Sequence, residues 1–397
     1  MFLEFFIWGA WFVTLGTFLG TNLKASGAET AAVFSTQSWG AIIAPFIIGL
    51  IADRYFNAER ILGVLHLVGA FLMYQMYQSS DLSSFYIYVF SYMVLYMPTL
   101  ALVNSVAFNQ MKDPEKEFSS IRVWGTIGWI VAGLSISYVF HWDSAESLAS
   151  GMLKNTFLLA GIAALILGLL SFTLPATPPK VSDEKIKIGD IIGLDALKLL
   201  KDKNFAVFFI SSILICIPLA FYYQNAHPFL TEAGVENPTG KMAIGQISEA
   251  LFLLLIPVFF TRFGFKKTIL VGMLAWAIRY ALFAYGNGTD LSFMLIIGIA
   301  LHGICYDFFF VSGQIYTNSK AGEKYKSAAQ GLITLATYGV GMLIGFAVAG
   351  WITDNYKTAT GTINWEMVWI IPAGIALAVF VLFALTFNDK NKTEVSH

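Results

Sequence analysis

Gly49-Leu-Ile-Ala-Asp53-Arg54 closes one long apolar run, and Arg262-Phe-Gly-Phe-Lys266-Lys267 closes another. The two arginines stand 208 residues apart. The same offset lays Thr99 on Asp307, Ser119 on Ser327 and Arg122 on Gln330. Hydrophobic runs superpose around each pair without gaps. A chain that repeats itself in one direction, in runs of this length, reads as two like bundles of membrane helices. Bundles so related hold their ligands between the halves, near the middle of the bilayer. The search for function therefore narrows to a few polar residues inside apolar helices.

Composition supports the membrane reading. Hydrophobic residues make up 57% of the chain and charged residues 12%, with a mean hydropathy of +0.68. A soluble domain is about a quarter charged. Several apolar runs also exceed the ~18–20 residues that mark a bilayer span, which a greasy soluble α-protein would not need. The net charge of −1 offers nothing to nucleic acid. Cys216 and Cys305, the two cysteines, both lie in apolar runs and read as small buried thiols rather than a disulfide framework. The five histidines show no metal-ligand spacing. No phosphate loop, nucleophile elbow or other catalytic constellation is visible, so neither a cofactor nor an enzyme is expected. Gly339, Gly341 and Gly345 in an apolar run suit close helix packing. Asn287-Gly288-Thr289 matches a glycosylation sequon, a tripeptide that often arises by chance. The amino end is apolar at once and lacks a basic leader, so it reads as an uncleaved first span.

Apolar periodicity gives twelve spans, roughly 2–22, 29–52, 60–78, 84–110, 118–140, 153–175, 204–227, 241–262, 267–286, 290–317, 326–353 and 364–387. The expected fold is an all-α membrane protein with twelve transmembrane helices in two six-helix pseudo-repeat bundles. The bundles are residues 1–175 and 204–388, joined by a linker over 176–203 and followed by a tail over 389–397. The linker opens with Pro175, Pro178 and Pro179, and Ile188–Leu200 alternates apolar and charged residues at helical spacing, as a helix on the membrane surface would. Even-numbered connections carry Arg54, Arg60, Lys112, Lys116, Arg262, Lys266, Lys267, Lys320, Lys324 and Lys326, against Lys24, Lys154, Lys241 and Lys357 on the odd ones. The positive-inside rule then puts both termini and the linker in the cytoplasm.

An ionisable residue within a span costs several kcal/mol unless it is paired or hydrated. Glu249 lies inside the eighth span with Gln246 three residues before it, on one helix face. Asp307 lies in the middle of the tenth span beside His302 and Tyr306. Arg122 opens the fifth span, and Thr126 and Trp129 follow on its stripe. In the seventh, Tyr223 and Gln224 belong to a polar run that ends in Pro228. That run suits either the mouth of a cavity or an interfacial belt. Together these groups read as a central polar cavity. Carboxyls in low dielectric favour their neutral form and can carry a proton. Gln, Thr, Tyr and His offer neutral hydrogen bonds, and Trp129 and Tyr306 offer flat faces. The mixture fits a planar heterocycle joined to a hydroxylated ring. The competing reading pairs the carboxylates with Arg122 or Arg279 as structural ion pairs. Arg279, between Trp276 and Tyr280, reads as structural, and so does His66.

Trp8-Gly-Ala-Trp11-Phe-Val-Thr14-Leu-Gly16, Tyr96-Met-Pro98-Thr99-Leu and Arg122-Val-Trp124-Gly-Thr126-Ile-Gly128 form an ordered set of motifs. Gly193-Leu-Asp195-Ala, Gln246-Ile-Ser248-Glu249, Ala275-Trp276-Ala-Ile-Arg279 and Asp307-Phe-Phe, with Ser312-Gly313 beyond it, continue the set along the chain. The set resembles the bacterial nucleoside:proton symporters of the major facilitator superfamily, and the likeness runs from the first span to the tail. The resemblance implies a monomeric twelve-helix carrier of the inner membrane that imports nucleosides with protons by alternating access. It also implies substrate contacts at Arg122, Thr126, Gln246, Glu249 and the tenth span, and a part for Asp307 in transport. The loop stretches at Arg54 and Arg262 resemble the superfamily's cytoplasmic signature, whose charges latch helix ends together. Trp129, Tyr223, His302 and Tyr306 depart from the family's pattern, which leaves open another neutral polar solute, such as a small sugar or glycoside, as the cargo.

Overall fold

The computed structural model describes residues 1–47, 56–179, 194–359 and 361–388. The loop stretch containing Arg54, the tail 389–397 and the first half of the expected linker helix lie outside the described residues. The described chain is helical, and its β-structure is one isolated bridge between Lys357 and Ile363. Among the described residues, eight helices are long and apolar enough to cross a membrane. Chain contacts divide the protein into two compact units. Unit 1 is Met1–Lys187 with Glu236–Ala243, and unit 2 is Ile188–Val235 with Ile244–His397.

Unit 1 begins with α1 (Phe2–Gly9) and α2 (Leu15–Thr21), which break a single apolar run between them. Next come α3 (Gly27–Ile47), α4 (Ala58–Gln78), α5 (Leu82–Gln110) and α6 (Pro114–Leu134), which ends in a π-helical stretch over Ser135–Val139. Short α7 (Ala145–Ala149) and long α8 (Asn155–Ser171) close the set. Sequence sets the ends locally. Asp81 caps α5 by accepting the Ser84 amide at 2.9 Å, one of the helix donors that would otherwise lack a partner. The core is aromatic: Trp11, Phe12, Phe18, Phe34, Phe85 and Phe157 are all essentially buried. Their ring centroids lie about 5–6 Å apart in mostly tilted or edge-on pairs, the geometry that ring quadrupoles favour.

Unit 2 holds α9 (Lys203–Glu232), most of α10 (Pro238–Tyr285), α11 (Ser292–Ala300) and α12 (His302–Tyr306). A π-helical stretch, Asp307–Val311, leads into α13 (Ser312–Thr334). A second, Leu335–Gly341, leads into α14 (Met342–Asn355), and α15 (Trp365–Thr386) is last. α10 kinks at Gly264, whose φ of 73° a side chain would resist. This bend falls where the eighth and ninth apolar runs meet in the sequence. Just past it, Lys266 Nζ donates to the Ala384 carbonyl at 2.8 Å, near the last turn of α15. The loop cation thus ties two helix ends, as expected for this copy of the signature. Gly341 and Gly345 lie against Cys216 and Ala220 of α9, so the small-residue run does serve close packing. Both cysteines are buried and unbridged. Leu194–Lys201, the described part of the linker helix, is 3₁₀ and buries Ala196 against Ala321, Ala329 and Leu332. That face is packed against protein.

α10 starts inside unit 1. Asp143 Oδ2 accepts the Thr239 amide at 3.1 Å and the Ser137 hydroxyl at 2.5 Å, while Ser137 Oγ accepts the Gly240 amide at 2.7 Å. A carboxylate at a helix amino end meets the unpaired amides and the positive end of the dipole together.

Candidate functional site

The residues singled out from sequence fall into two groups, one in each unit. In unit 1, Arg122, Thr126 and Trp129 follow one stripe of α6, each half-buried. α1 fixes that stripe by close approach. A Cβ on Gly128 would fall 2.2 Å from the Phe2 carbonyl oxygen, so only glycine fits there. The approach sets the Arg122 guanidinium carbon 4.2 Å over the Phe5 ring and the Trp129 ring 5.5 Å from Trp8. A cation over an aromatic face is held without its charge being neutralised. Among the described residues of unit 1, no carboxylate forms an ion pair with Arg122.

In unit 2, Gln246 and Glu249 lie on α10 and are half-buried. Their neighbour is the broken helix α11–α12, and the two elements meet through glycine. A Cβ on Gly303 would lie 2.5 Å from the Ser248 backbone, and one on Gly245 would lie 3.2 Å from His302. Ser248 Oγ donates to the Ala300 carbonyl at the helix break. This packing brings Glu249 Oε2 to 3.8 Å from His302 Nε2. On the ring's other side, Arg279 Nη1 lies 2.9 Å from His302 Nδ1. A guanidinium can only donate, so Nδ1 must accept. His302 is therefore neutral, with its Nε2 hydrogen directed to the Glu249 side.

Arg279 is wholly buried, and its guanidinium carbon sits 3.7 Å above the Tyr222 ring, which stacks on His302 at 5.4 Å. The expected structural role for Arg279 thus acquires a direction, since the residue orients His302. It is not the ion-pair partner of Asp307. Asp307 is 1% exposed, opens the π-helical stretch, and leaves Oδ2 without a hydrogen-bond partner. The hydroxyls of Tyr306 and Tyr338 bond to each other. Tyr338 escaped the sequence reading because it joins the site only through Tyr306 on another helix. Tyr222 belongs to the polar run of the seventh span, but its stacking on His302 crosses helices and is not legible in sequence.

The run Tyr222–Pro228 does not end its helix. α9 continues to Glu232 with Pro228 inside it. Tyr222, Gln224, Asn225 and His227 are buried and Tyr223 is half-buried. Asn225 Nδ2 donates to Thr353 Oγ1 at 3.2 Å. These residues pack inside unit 2.

Long apolar helices carrying buried polar groups, with no strand or soluble domain among the described residues, define a membrane carrier. The model of the nucleoside H+ symporter family matches residues 1–392, and the chain belongs to that family. It is a transporter and not an enzyme. It is 42% identical to YegT of Escherichia coli (strain K12) over 98% of this chain and 93% of that protein. It is 32% identical to the nucleoside permease NupG of the same organism, over 98% of this chain and 94% of that one. A crystal structure of a NupG mutant superposes with a TM-score of 0.88 at 30% identity, covering 98% of both chains.

Proposed function

We propose that this chain imports nucleosides with protons across the cytoplasmic membrane by alternating access, as a monomer with both termini inside. The twelve spans form two six-helix repeats, 1–175 and 204–388, with the linker 176–203 and the tail 389–397 on the cytoplasmic side. In unit 1, Arg122, Thr126 and Trp129 bind the nucleoside. In unit 2, Tyr223, Gln224, Gln246, Glu249, His302 and Tyr306 bind it. Trp129 and Tyr306 stack on the base, while the amide, hydroxyl and imidazole groups meet the ring nitrogens and sugar hydroxyls. Asp307 and Glu249 carry the proton. The observation that carries this reading is Asp307 itself, a buried carboxyl with an unpartnered oxygen, next to the turn that carries His302 and Tyr306 and meets Glu249 of α10 through His302. Each proton that descends a 100 mV potential supplies ~2.3 kcal/mol toward accumulation.

The test is uptake by the purified protein in liposomes. Labelled uridine or adenosine should accumulate when the lumen is made alkaline, and collapsing the gradient should release it. Uptake that ignores the gradient removes the coupling. Competition by free sugars but not by nucleosides transfers the site to a sugar or glycoside.

A further inference from the structure

Unit 1 buries a carboxyl of its own, far along the chain from Asp307. Glu4 on α1 is wholly buried, as are His66 on α4 and Thr99 on α5. Glu4 Oε2 lies 2.8 Å from His66 Nε2, and Glu4 Oε1 lies 2.6 Å from Thr99 Oγ1. Thr99 Oγ1 also lies 2.5 Å from the Tyr96 carbonyl oxygen. The Tyr96 hydroxyl donates to the Glu4 carbonyl at 2.7 Å and pins α1 in place.

Counting hydrogens bears on which form of the Glu4 side chain these contacts suit. A threonine hydroxyl has one hydrogen, and a backbone carbonyl can only accept. If Thr99 donates to Tyr96, its contact with Glu4 is a hydrogen bond only when Glu4 Oε1 is itself the donor. A protonated Glu4 gives every atom a partner: Oε1–H to Thr99, Thr99 to the Tyr96 carbonyl, and His66 Nε2–H to Oε2. An ionised Glu4 must take the Thr99 hydrogen, and two acceptor oxygens are then left 2.5 Å apart. The neutral arrangement also suits full burial, where an ion pair must offset a large desolvation cost. Among the described residues, the other titratable or charged groups around Glu4 are the Met1 amine on its own chain end, Tyr92 and Tyr96 on α5, and Arg122 on α6. α8, also packed on α1, brings none. Arg122 is turned onto Phe5.

We propose that Glu4 is a proton-binding site of unit 1, neutral in this conformation and held by His66 and Thr99. The 208-residue offset gives the site a counterpart. Thr99 aligns with Asp307 and Glu4 aligns with Ser212. One unit carries its carboxyl on the first helix and a hydroxyl on the fourth, and the other carries them in reverse. A carrier with this pair of sites binds a proton in each unit.

Infrared difference spectra of the detergent-purified, full-length protein in light and heavy water test the assignment. The Asp307→Asn protein should retain a protonated-carboxyl band that the Asp307→Asn/Glu4→Gln protein lacks. Glutamine copies the shape and the donor of the neutral acid, so folding should survive. Thr99→Val, which keeps the shape but removes the acceptor, should shift the same band. An acid spectrum unchanged by both Glu4→Gln and Thr99→Val makes Glu4 an ionised partner of His66 and overturns the proposal. No nucleoside enters the measurement, so its outcome is separate from that of the transport reading.

Discussion

Two of the buried carboxyls, Glu4 and Asp307, sit in opposite surroundings. Around Glu4 every oxygen has a partner within 2.8 Å, drawn from two other helices. Around Asp307 one oxygen has none, and the nearby Glu249–His302 contact is stretched to 3.8 Å. The first is a closed network whose parts support one another, and closed networks rigidify. The second has open hydrogen-bonding capacity in a wide helical turn, which suits the proton-exchanging role proposed for it. Burial alone therefore does not tell whether a carboxyl's hydrogen bonds are met.

The largest effect expected from this contrast is on transport. Asp307→Asn should lower proton-driven nucleoside uptake by between about a hundred- and ten-thousand-fold, the range in which a positioned proton-transfer group contributes. Thermal stabilisation by nucleoside should persist. Uptake by this variant close to that of the unaltered protein would remove the functional side of the comparison.

Stability should respond in the reverse order. Glu4→Ala strands His66 and Thr99 in the core and should cost ~2–3 kcal/mol, while Asp307→Ala should cost less, having no partner at Oδ2 to strand. Apparent melting temperatures in detergent decide the matter, and equal losses would break the contrast. A smaller effect, about 1.5 kcal/mol, is expected for Arg279→Lys, which keeps the charge but gives up the flat donor above Tyr222. It should appear as a rise in the KM for nucleoside of roughly tenfold. Tyr338→Phe deletes one hydroxyl from the Tyr306 pair and should change affinity by ~1 kcal/mol, measurable by titration calorimetry. No change there would free Tyr306 from any need of its partner.

Much of this was legible in the chain itself. Apolar run lengths located the long helices, and the break between the eighth and ninth runs coincides with the kink at Gly264. Spacing put Gln246 with Glu249, and Arg122 with Thr126 and Trp129, because neighbours on one helix are fixed by its pitch. Relations across helices were not legible. Glu4, His66 and Thr99 are separated by 62 and 95 residues from carboxyl to partner, and nothing local announces the meeting. His66 was read as structural, which its burial suits, but its partner was out of view. Arg279 was placed correctly in the core, yet its bond to His302, 23 residues on, depends on how two helices pack. The end of α9 was set too early because Pro228 looks like a stop, and a membrane helix tolerates proline when neighbours satisfy the freed carbonyl. The same limit explains Asn287-Gly288-Thr289. Its asparagine oxygen accepts the Thr289 and Leu291 amides, so the tripeptide serves as a turn before α11.

The π-helical stretch that begins at Asp307 has a consequence for insertions and deletions. A π-turn is an α-helix carrying one surplus residue. Deleting a residue from an ordinary transmembrane helix turns everything beyond it by about 100° and scrambles two packed faces. Deleting one of Phe308, Phe309 or Phe310 instead restores the regular turn and leaves both flanks in register. Such a shortened chain should insert and fold while aiming Asp307 elsewhere, so this turn is a place where a lineage could gain or lose the carboxyl's orientation in a single indel.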